Sequence, residues 1–113
     1  YGGDDFALLL PKTNLDGATL VCERIIEQLK GNSLDGPNGT IPLKVSIGVC
    51  SLEAHNFSHE EIVRPVTVDY FLDMYKYIVD STDQALYQAK NNGGNQIFAG
   101  KTLTWEGEGI RVT

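Results

Sequence analysis

Apolar residues recur at helical spacing in two stretches of the chain. In the first stretch they step by three and four positions, as on one face of a helix. We expect Thr13 to cap this helix together with Asp16, and Gly31 to end it. Arg24 lies off the apolar face and is expected in solvent. That face comprises Ala18, Val21, Cys22, Ile25 and Leu29.

The second helical stretch covers residues 69–92. Lys90 lies in its last turn, where the helix dipole favours a cation, and Gly93 and Gly94 end it. Its aromatic residues are interpreted as core and interface packing rather than as a platform for stacking bases. The repeating positions are Phe71, Met74, Tyr75, Ile78, Thr82, Ala85, Leu86 and Ala89.

Other patterns predict strands. Residues 6–10 are continuously apolar, which indicates a strand buried on both faces. Residues 43–50 alternate between apolar and small or polar, which is typical of a half-buried strand. Gly48 in its middle indicates a bulge or a close approach of another backbone. Residues 96–99 form a short strand candidate.

The remaining segments carry weaker patterns. Residues 32–42 include Gly36, Pro37, Asn38 and Gly39, and are interpreted as a loop. His55 and His59 are four residues apart, a spacing that could place two imidazoles on one helix face, but they lack the HExxH pattern of zinc peptidases. A solvated loop or short helix is the preferred interpretation there. Residues 101–113 are expected to form a strand or a terminal arm.

Composition narrows the class of protein. The chain has 113 residues, of which 42% are hydrophobic, and a formal net charge of −6. These values indicate one globular domain or part of one, and they argue against nucleic acid as the main partner. No apolar run approaches the roughly 18 residues of a membrane span. Two cysteines without a secretory signal favour reduced thiols and a cytoplasmic location, and Cys22 is interpreted as a core residue.

The candidate chemistry lies at the start of the chain. Gly2 and Gly3 favour a tight turn that a ligand can approach, and Asp4 and Asp5 concentrate negative charge that suits Mg²⁺. The alternative is an ordinary hairpin turn whose acids serve solubility. Because a buried strand needs neighbours and the chain offers few, we expect the chain to be the C-terminal part of a larger domain.

Four segments together carry a family resemblance. Residues 1–11 (YGGDDFALLLP), 18–24, 45–49 (VSIGV) and 82–95 (TDQALYQAKNNGGN) follow one another in the order of the motifs of the GGDEF domain. The chain therefore resembles the diguanylate cyclase family of bacterial signalling. The last segment is the most specific of the four. The resemblance implies an α/β fold, an α+β sandwich with a nucleotide-cyclase or polymerase palm-like sheet and packed helices, whose N-terminal strand and helices are missing from this chain.

The resemblance also implies a reaction. Each such domain binds GTP with Mg²⁺ or Mn²⁺, and two domains face each other as a homodimer. Two GTP molecules condense to cyclic di-GMP, a second messenger, and two pyrophosphates leave. The implied partners are GTP, cyclic di-GMP, a second copy and an N-terminal sensory domain, with no nucleic acid and no membrane contact by this segment. The chain alone is expected to be inactive, since part of the implied functional surface lies outside it.

Residue by residue, the resemblance implies five site positions and one regulatory position. Gly2 and Gly3 match the glycines beside the nucleotide, and Asp4 matches an acid that binds metal and helps activate the attacking hydroxyl. Asp5 stands where the family usually has Glu, as a catalytic and metal-binding residue one methylene shorter. The other two positions are Lys90, which matches the lysine on the terminal phosphates, and Arg24, which matches an arginine of the product-inhibition surface. Lys90 and Arg24 could instead be ordinary surface cations.

Two departures from the family pattern keep alternatives open. Besides Asp5, Gly94 replaces an arginine, so that a second cationic phosphate contact is expected to be lost. The alternative is a degenerate GGDEF domain that acts as a nucleotide-binding or protein-interaction regulatory module without turnover. A GGDD turn also occurs in the palm of type III CRISPR polymerases, which the segment at residues 82–95 fits less well. We divide the chain into residues 1–99, the C-terminal part of a GGDEF domain, and residues 100–113, a C-terminal strand or tail.

Overall fold

The computed structural model describes residues 5–54, 68–105 and 110–112 of the chain. The predictions for His55 and His59, and those for residues 1–4, lie outside these described residues. The elements are helix α1 (Leu15–Lys30), strands β1 (Ser33–Gly36), β2 (Gly39–Pro42) and β3 (Ile47–Ala54), helix α2 (Val68–Asn91), and strands β4 (Ile97–Trp105) and β5 (Ile110–Val112).

Strands β3, β4 and β5 form one sheet in that order. Strand β3 runs parallel to β4, beginning with Ile47 opposite Ile97, and β4 pairs with β5 in the antiparallel sense. Parallel neighbours need a long crossover connection, and here the crossover contains α2. The unit β3–α2–β4 is therefore a β-α-β motif.

The two helices cover opposite faces of β3. Successive strand residues point to opposite faces of a sheet. Val49 packs with Ala18 and Cys22 of α1 in a buried cluster, whereas a side chain at Gly48 would point at Ala85 and Leu86 of α2. The sheet thus lies between two helices, which confirms the α/β fold class.

Gly48 marks a close approach between strand and helix. A Cβ atom built there would lie 2.1 Å from the backbone nitrogen of Leu86, so only glycine fits. On the neighbouring strand, a Cβ at Gly100 would lie 2.7 Å from Cys50 Sγ. The pairing register also shifts by one residue between Val49 and Ser51, which is a β-bulge. The close approach predicted for Gly48 is therefore confirmed, whereas the bulge lies further along the strand, after Val49.

Helix α1 is capped by a different residue from the one predicted. Asn14 is the N-cap, and its side chain accepts a hydrogen bond from the Gly17 N–H at 2.8 Å. The Thr13 hydroxyl instead donates to the carbonyl of Pro11 at 3.0 Å. The capping prediction for Thr13 and Asp16 was wrong by one position, because Asn14 also has a side-chain oxygen that can cap. The helix itself and its end at Gly31 are confirmed.

Two predicted segments have different boundaries or structure. Strands β1 and β2 form an antiparallel hairpin within the region interpreted as a loop, because Gly36 to Gly39 supply a tight turn between two extended segments. Strand β3 begins at Ile47, four residues later than predicted, since β4 offers pairing partners only from Ile97 onward. Its second face is covered by α2 rather than exposed to solvent.

Residues 6–10 do not form the predicted buried strand. Phe6 is 95% exposed and Leu9 is 86% exposed, and no described strand pairs with this segment. An extended segment without a hydrogen-bonding neighbour cannot join a sheet, whatever its hydrophobicity. Leu10, at its end, does pack against the cluster around Val49.

Helix α2 matches its predicted range to within one residue at each end. Ala85 and Ala89 are buried on its inner face. Tyr75, Tyr77 and Tyr87 are each more than half exposed, so the core interpretation is wrong for these three. The buried face is built from small residues because the strand beneath it is so close.

The end of the sequence contributes to the core. Strand β4 continues well beyond the short candidate predicted at residues 96–99, and Leu103 is completely buried. The division of the chain after residue 99 stays a prediction. Neither of the described helices combines the length and the apolar character needed to cross a lipid bilayer.

Candidate active site

Two residues predicted to belong to one site lie together in the structure. Lys90 Nζ is 3.6 Å from Asp5 Oδ1, although the two residues come from opposite ends of the sequence. The side chain of Lys90 is 56% exposed and that of Asp5 is 42% exposed. An exposed ion pair of this kind stabilises a fold by about 1 kcal/mol at most. Both groups therefore remain accessible to a ligand.

The backbone of Lys90 is fixed by the end of α2. The Gly93 N–H donates to the Lys90 carbonyl at 3.2 Å, and the Gly94 N–H donates to the Ala89 carbonyl at 3.0 Å. Gly93 and Gly94 have φ values of +113° and +73°, the left-handed region that glycine tolerates best. The neighbouring Ala89 is completely buried. A rigid helix end thus presents a flexible, solvent-accessible cation.

The Asp5 side chain is carried by the extended segment that leads to α1. Only the last residue of that segment, Leu10, is anchored in the core, where it packs with Leu15 around Val49. Asp5 is thus held less firmly than Lys90, whose helix is packed along the sheet.

The other predicted site residues lie on α1 or outside the described residues. Gly2, Gly3 and Asp4 lie outside the described residues, so their roles stay predictions. Arg24 is exposed on α1, as expected. Arg24 and Lys90 lie on different helices, which cover opposite faces of β3. Its regulatory role stays a prediction.

The donor set for a metal ion is incomplete within the described residues. No group of three or more His, Cys, Asp or Glu side chains in residues 5–54, 68–105 and 110–112 could hold a metal. Mg²⁺ is, however, usually bound by one or two carboxylates together with substrate phosphates and water. The Asp5 carboxylate has the oxygen chemistry for such a shared site, with Asp4 next to it in sequence. The Asp5 carboxylate therefore fits a divalent ion whose remaining ligands come from a bound molecule and water.

The two thiols are not candidates for nucleophiles. Both cysteines are free. Burial raises the pKa of the Cys22 thiol. Burial also raises the pKa of Cys50, an effect partly offset by hydrogen bonds with the Lys101 backbone and the Thr82 side chain. Since the thiolate is the reactive form, both groups are suited to packing rather than to catalysis.

The sequence interpretation did not assign a role to Ser46. Its hydroxyl accepts a hydrogen bond from the Asn95 N–H at 3.0 Å, which connects the entry of β3 to the turn after Lys90. Both residues belong to the segments that carry the family resemblance. The presence of both residues in these segments is the sequence signal that could have indicated their contact.

Comparison with protein families identifies the chain. Residues 1–96 match the family model described as "Diguanylate cyclase, GGDEF domain". The chain belongs to the GGDEF family. The matched range includes both Asp5 and Lys90, so the ion pair lies within the GGDEF domain.

Several curated relatives of this GGDEF chain are diguanylate cyclases by name. It is 33% identical to diguanylate cyclase A of Treponema denticola over 101 residues, which cover 89% of this chain and 23% of that protein. It is 37% identical to diguanylate cyclase DgcM of Escherichia coli over 100 residues, which cover 88% of this chain and 19% of that protein. The chain therefore spans about a fifth of the length of these relatives. No solved structure gives a significant match.

Proposed function

We propose that this chain is the C-terminal part of a diguanylate cyclase domain that condenses two GTP molecules to cyclic di-GMP. The observation that carries the proposal is the contact between Asp5 and Lys90. It joins Asp5, which follows the two glycines in sequence, to the lysine at the end of α2. A metal-bound triphosphate would need both a carboxylate and a cation of this kind. The relatives named as cyclases support the same conclusion and do not favour a degenerate module.

Lys90 is proposed to bind the terminal phosphates of GTP. Its ammonium group lies beside the Asp5 carboxylate, so the two charges partly neutralise each other. An arriving triphosphate offers Lys90 stronger charge-assisted hydrogen bonds than a single exposed carboxylate does. Lys90 then holds the group that leaves as pyrophosphate, while Asp5 is released for metal binding.

Asp4 and Asp5 would hold the divalent ion, Mg²⁺ or Mn²⁺, between the chain and the phosphates. Such an ion, when bound, stabilises charge on the phosphoryl oxygens and lowers the pKa of the attacking hydroxyl. Gly2 and Gly3 are proposed to let the nucleotide approach the turn without meeting a Cβ. Because Asp5 is shorter than glutamate, its carboxylate must approach the phosphates more closely.

The reaction forms two phosphodiester bonds. The 3′-hydroxyl oxygen of each GTP attacks the α-phosphorus of the other, the bond to the β-phosphate oxygen breaks, and pyrophosphate leaves with its electron pair. The hydroxyl proton passes to a base, a role that suits Asp4, or to solvent. Two facing copies of the domain supply proximity and orientation, which lower the barrier of a reaction between two substrates. We therefore propose a homodimer, with Arg24 on a separate product-binding surface.

The setting of the reaction is also proposed. A cytoplasmic location is proposed because the chain is acidic and its proposed substrate is GTP. A sensory domain elsewhere in the protein is also proposed, since the chain matches only 23% of the length of the Treponema denticola relative. The chain studied alone is expected to show no turnover. The complete protein that contains this sequence is therefore the one to assay.

The test compares two lysines. Lys90→Ala should lower kcat/KM for GTP by roughly 10- to 100-fold, because a charge-assisted contact to the phosphates is lost. Lys30→Ala is the matched control, since Lys30 also lies in the last turn of a helix and pairs with a carboxylate, Glu27, at 3.4 Å. Its activity should stay unchanged. Cyclic di-GMP is measured by chromatography after incubation with GTP and Mg²⁺ or Mn²⁺.

Two results would contradict the proposal. One is the absence of cyclic di-GMP with either metal in the unmodified protein. The other is a Lys90→Ala variant as active as Lys30→Ala, which would make Lys90 an ordinary surface cation.

A further inference from the structure

The turn between α2 and β4 has an unusual backbone. Three successive residues, Gly93, Gly94 and Asn95, have φ values of +113°, +73° and +52°. The left-handed region is unfavourable for residues with a Cβ, and asparagine is among the few that tolerate it. These residues tolerate positive φ, so the position of the turn relative to the sheet depends on its surrounding contacts.

Those contacts come from the entry of β3 and from the turn itself. Ser46 Oγ accepts from the Asn95 N–H at 3.0 Å, and the Ile47 N–H donates to the Gln96 carbonyl at 3.0 Å. Gln96 Nε2 donates back to the carbonyls of Asn92 at 2.9 Å and Gly94 at 3.3 Å. The turn is therefore tied on one side to β3 and on the other to the end of α2.

The contact with Ser46 is the side-chain connection between β3 and the turn. The Ile47–Gln96 hydrogen bond joins two backbones and survives most substitutions, whereas the Ser46 hydroxyl is removed by a single change. A Cβ at Gly94 would lie only 3.3 Å from Ser46 Oγ, so the hydroxyl also fits closely against the turn. Losing it would leave the exposed Asn95 N–H to water and loosen the connection between the turn and β3.

That loosening would reach Lys90 through the backbone. The carbonyls of Ala89 and Lys90 accept the hydrogen bonds of Gly94 and Gly93, the first two residues of the turn. A shift of the turn thus alters the last turn of α2 and the direction in which the Lys90 side chain leaves the helix. The position of Lys90 relative to Asp5 is set in part from β3.

We infer that Ser46 is a positioning residue for the phosphate-binding Lys90. This inference rests on the proposed function, because it assigns Ser46 to the same nucleotide site. Ser46 acts through the hydrogen bond to Asn95 and does not itself contact the nucleotide. Its loss should therefore weaken binding of the terminal phosphates in particular.

Ser51 offers a matched control on the same strand. Its hydroxyl donates to Thr102 Oγ1 at 3.0 Å, so it too connects β3 to the region of β4 by one side-chain hydrogen bond. Ser51 is buried and lies beyond the bulge, away from the turn. Ser51→Ala removes a hydrogen bond of the same length in a more buried place, without touching the support of Lys90.

The experiment measures the affinity of the complete protein for two ligands, a non-hydrolysable GTP analogue and GMP, which lacks the terminal phosphates. Ser46→Ala should weaken analogue binding roughly 3- to 10-fold, the effect of one hydrogen bond, and leave GMP binding unchanged. Ser46→Thr, which keeps the hydroxyl, should restore analogue binding. Ser51→Ala should change neither affinity.

A double variant separates positioning from general destabilisation. If Ser46 acts through Lys90, then Ser46→Ala should add little to the loss already caused by Lys90→Ala. Additive losses, or equal losses for both ligands, would overturn the inference, as would a Ser46→Ala variant that behaves like Ser51→Ala.

The proposed function is tested separately, by whether the unmodified protein binds the analogue and whether it makes cyclic di-GMP. An unmodified protein that binds the analogue but makes no cyclic di-GMP contradicts the cyclase proposal, while the comparison of the serine variants still decides the role of Ser46. An unmodified protein that does not bind the analogue contradicts both proposals.

Discussion

At the residue scale, Gly48 shows how one missing side chain determines the spacing of two elements. Its hydrogen points at the backbone of α2, where a Cβ would lie 2.1 Å from Leu86 N and 2.7 Å from the carbonyl carbon of Ala85. Backbone atoms in a packed helix cannot move aside as a flexible side chain can. The short distance from sheet to helix thus depends on glycine.

Gly48→Ala should therefore destabilise the protein by about 3 kcal/mol or more, since α2 must move away from the sheet. Gly31→Ala is the matched control, because Gly31 has φ −90° and a Cβ there meets no atom within 4 Å. It should be neutral or slightly stabilising. Urea unfolding of both variants gives the comparison, and equal midpoints would refute the close-packing argument.

At the scale of elements, the helices could be predicted because the apolar period and the terminating residues that define them lie within the same stretch of sequence. The apolar period of α2 predicted its range to within one residue at each end, and Gly31 correctly marked the end of α1. Strands depend on partners that are distant in sequence. Residues 6–10 have the composition of a buried strand but no described pairing partner, whereas the hairpin of β1 and β2 forms from residues that looked like a loop.

The cap of α1 gives a test of the local boundary. Asn14→Ala should destabilise the protein by about 1 kcal/mol, because the Gly17 N–H loses its side-chain acceptor. Thr13→Ala removes only the hydroxyl that donates to the Pro11 carbonyl, and should cost less. Thermal unfolding of the two variants distinguishes the residues. A larger loss of stability for Thr13→Ala than for Asn14→Ala would indicate that Thr13, the residue predicted from the sequence, caps the helix.

At the scale of the whole molecule, the candidate site depends on contacts that span the chain. The family resemblance predicted Asp5 and Lys90 for one site, and the structure brings them within 3.6 Å. Nothing in the local pattern around Lys90 distinguishes it from Lys30, which also ends a helix and pairs with an acid. The role of Ser46 in supporting Lys90 could not be predicted from the local sequence either. It depends on a hydrogen bond between the entry of β3 and the turn after α2, which are far apart in the chain.

The stability of the whole fold should also respond to alkaline pH through its thiols. Burial raises the pKa of both Cys22 and Cys50 in the folded state. As the pH rises past the ordinary thiol pKa, the thiols of the unfolded chain lose their protons first, so the unfolded state binds fewer protons than the folded state. The free energy of unfolding then falls with pH. This contribution is fully present below the unfolded pKa and is lost as the pH rises through the folded pKa.

The measurement is urea unfolding from neutral to alkaline pH, with the Cys22→Ala/Cys50→Ala double variant as the comparison. The variant has a different stability at neutral pH, because the cysteines also contribute to packing, but its stability should fall less steeply at alkaline pH. Contributions from groups that the two proteins share cancel in the difference between the two curves. Parallel curves would show that the folded state accommodates the two thiolates as readily as the unfolded chain does, and that the packing around Cys22 in α1 and Cys50 in β3 does not exclude water from their thiols.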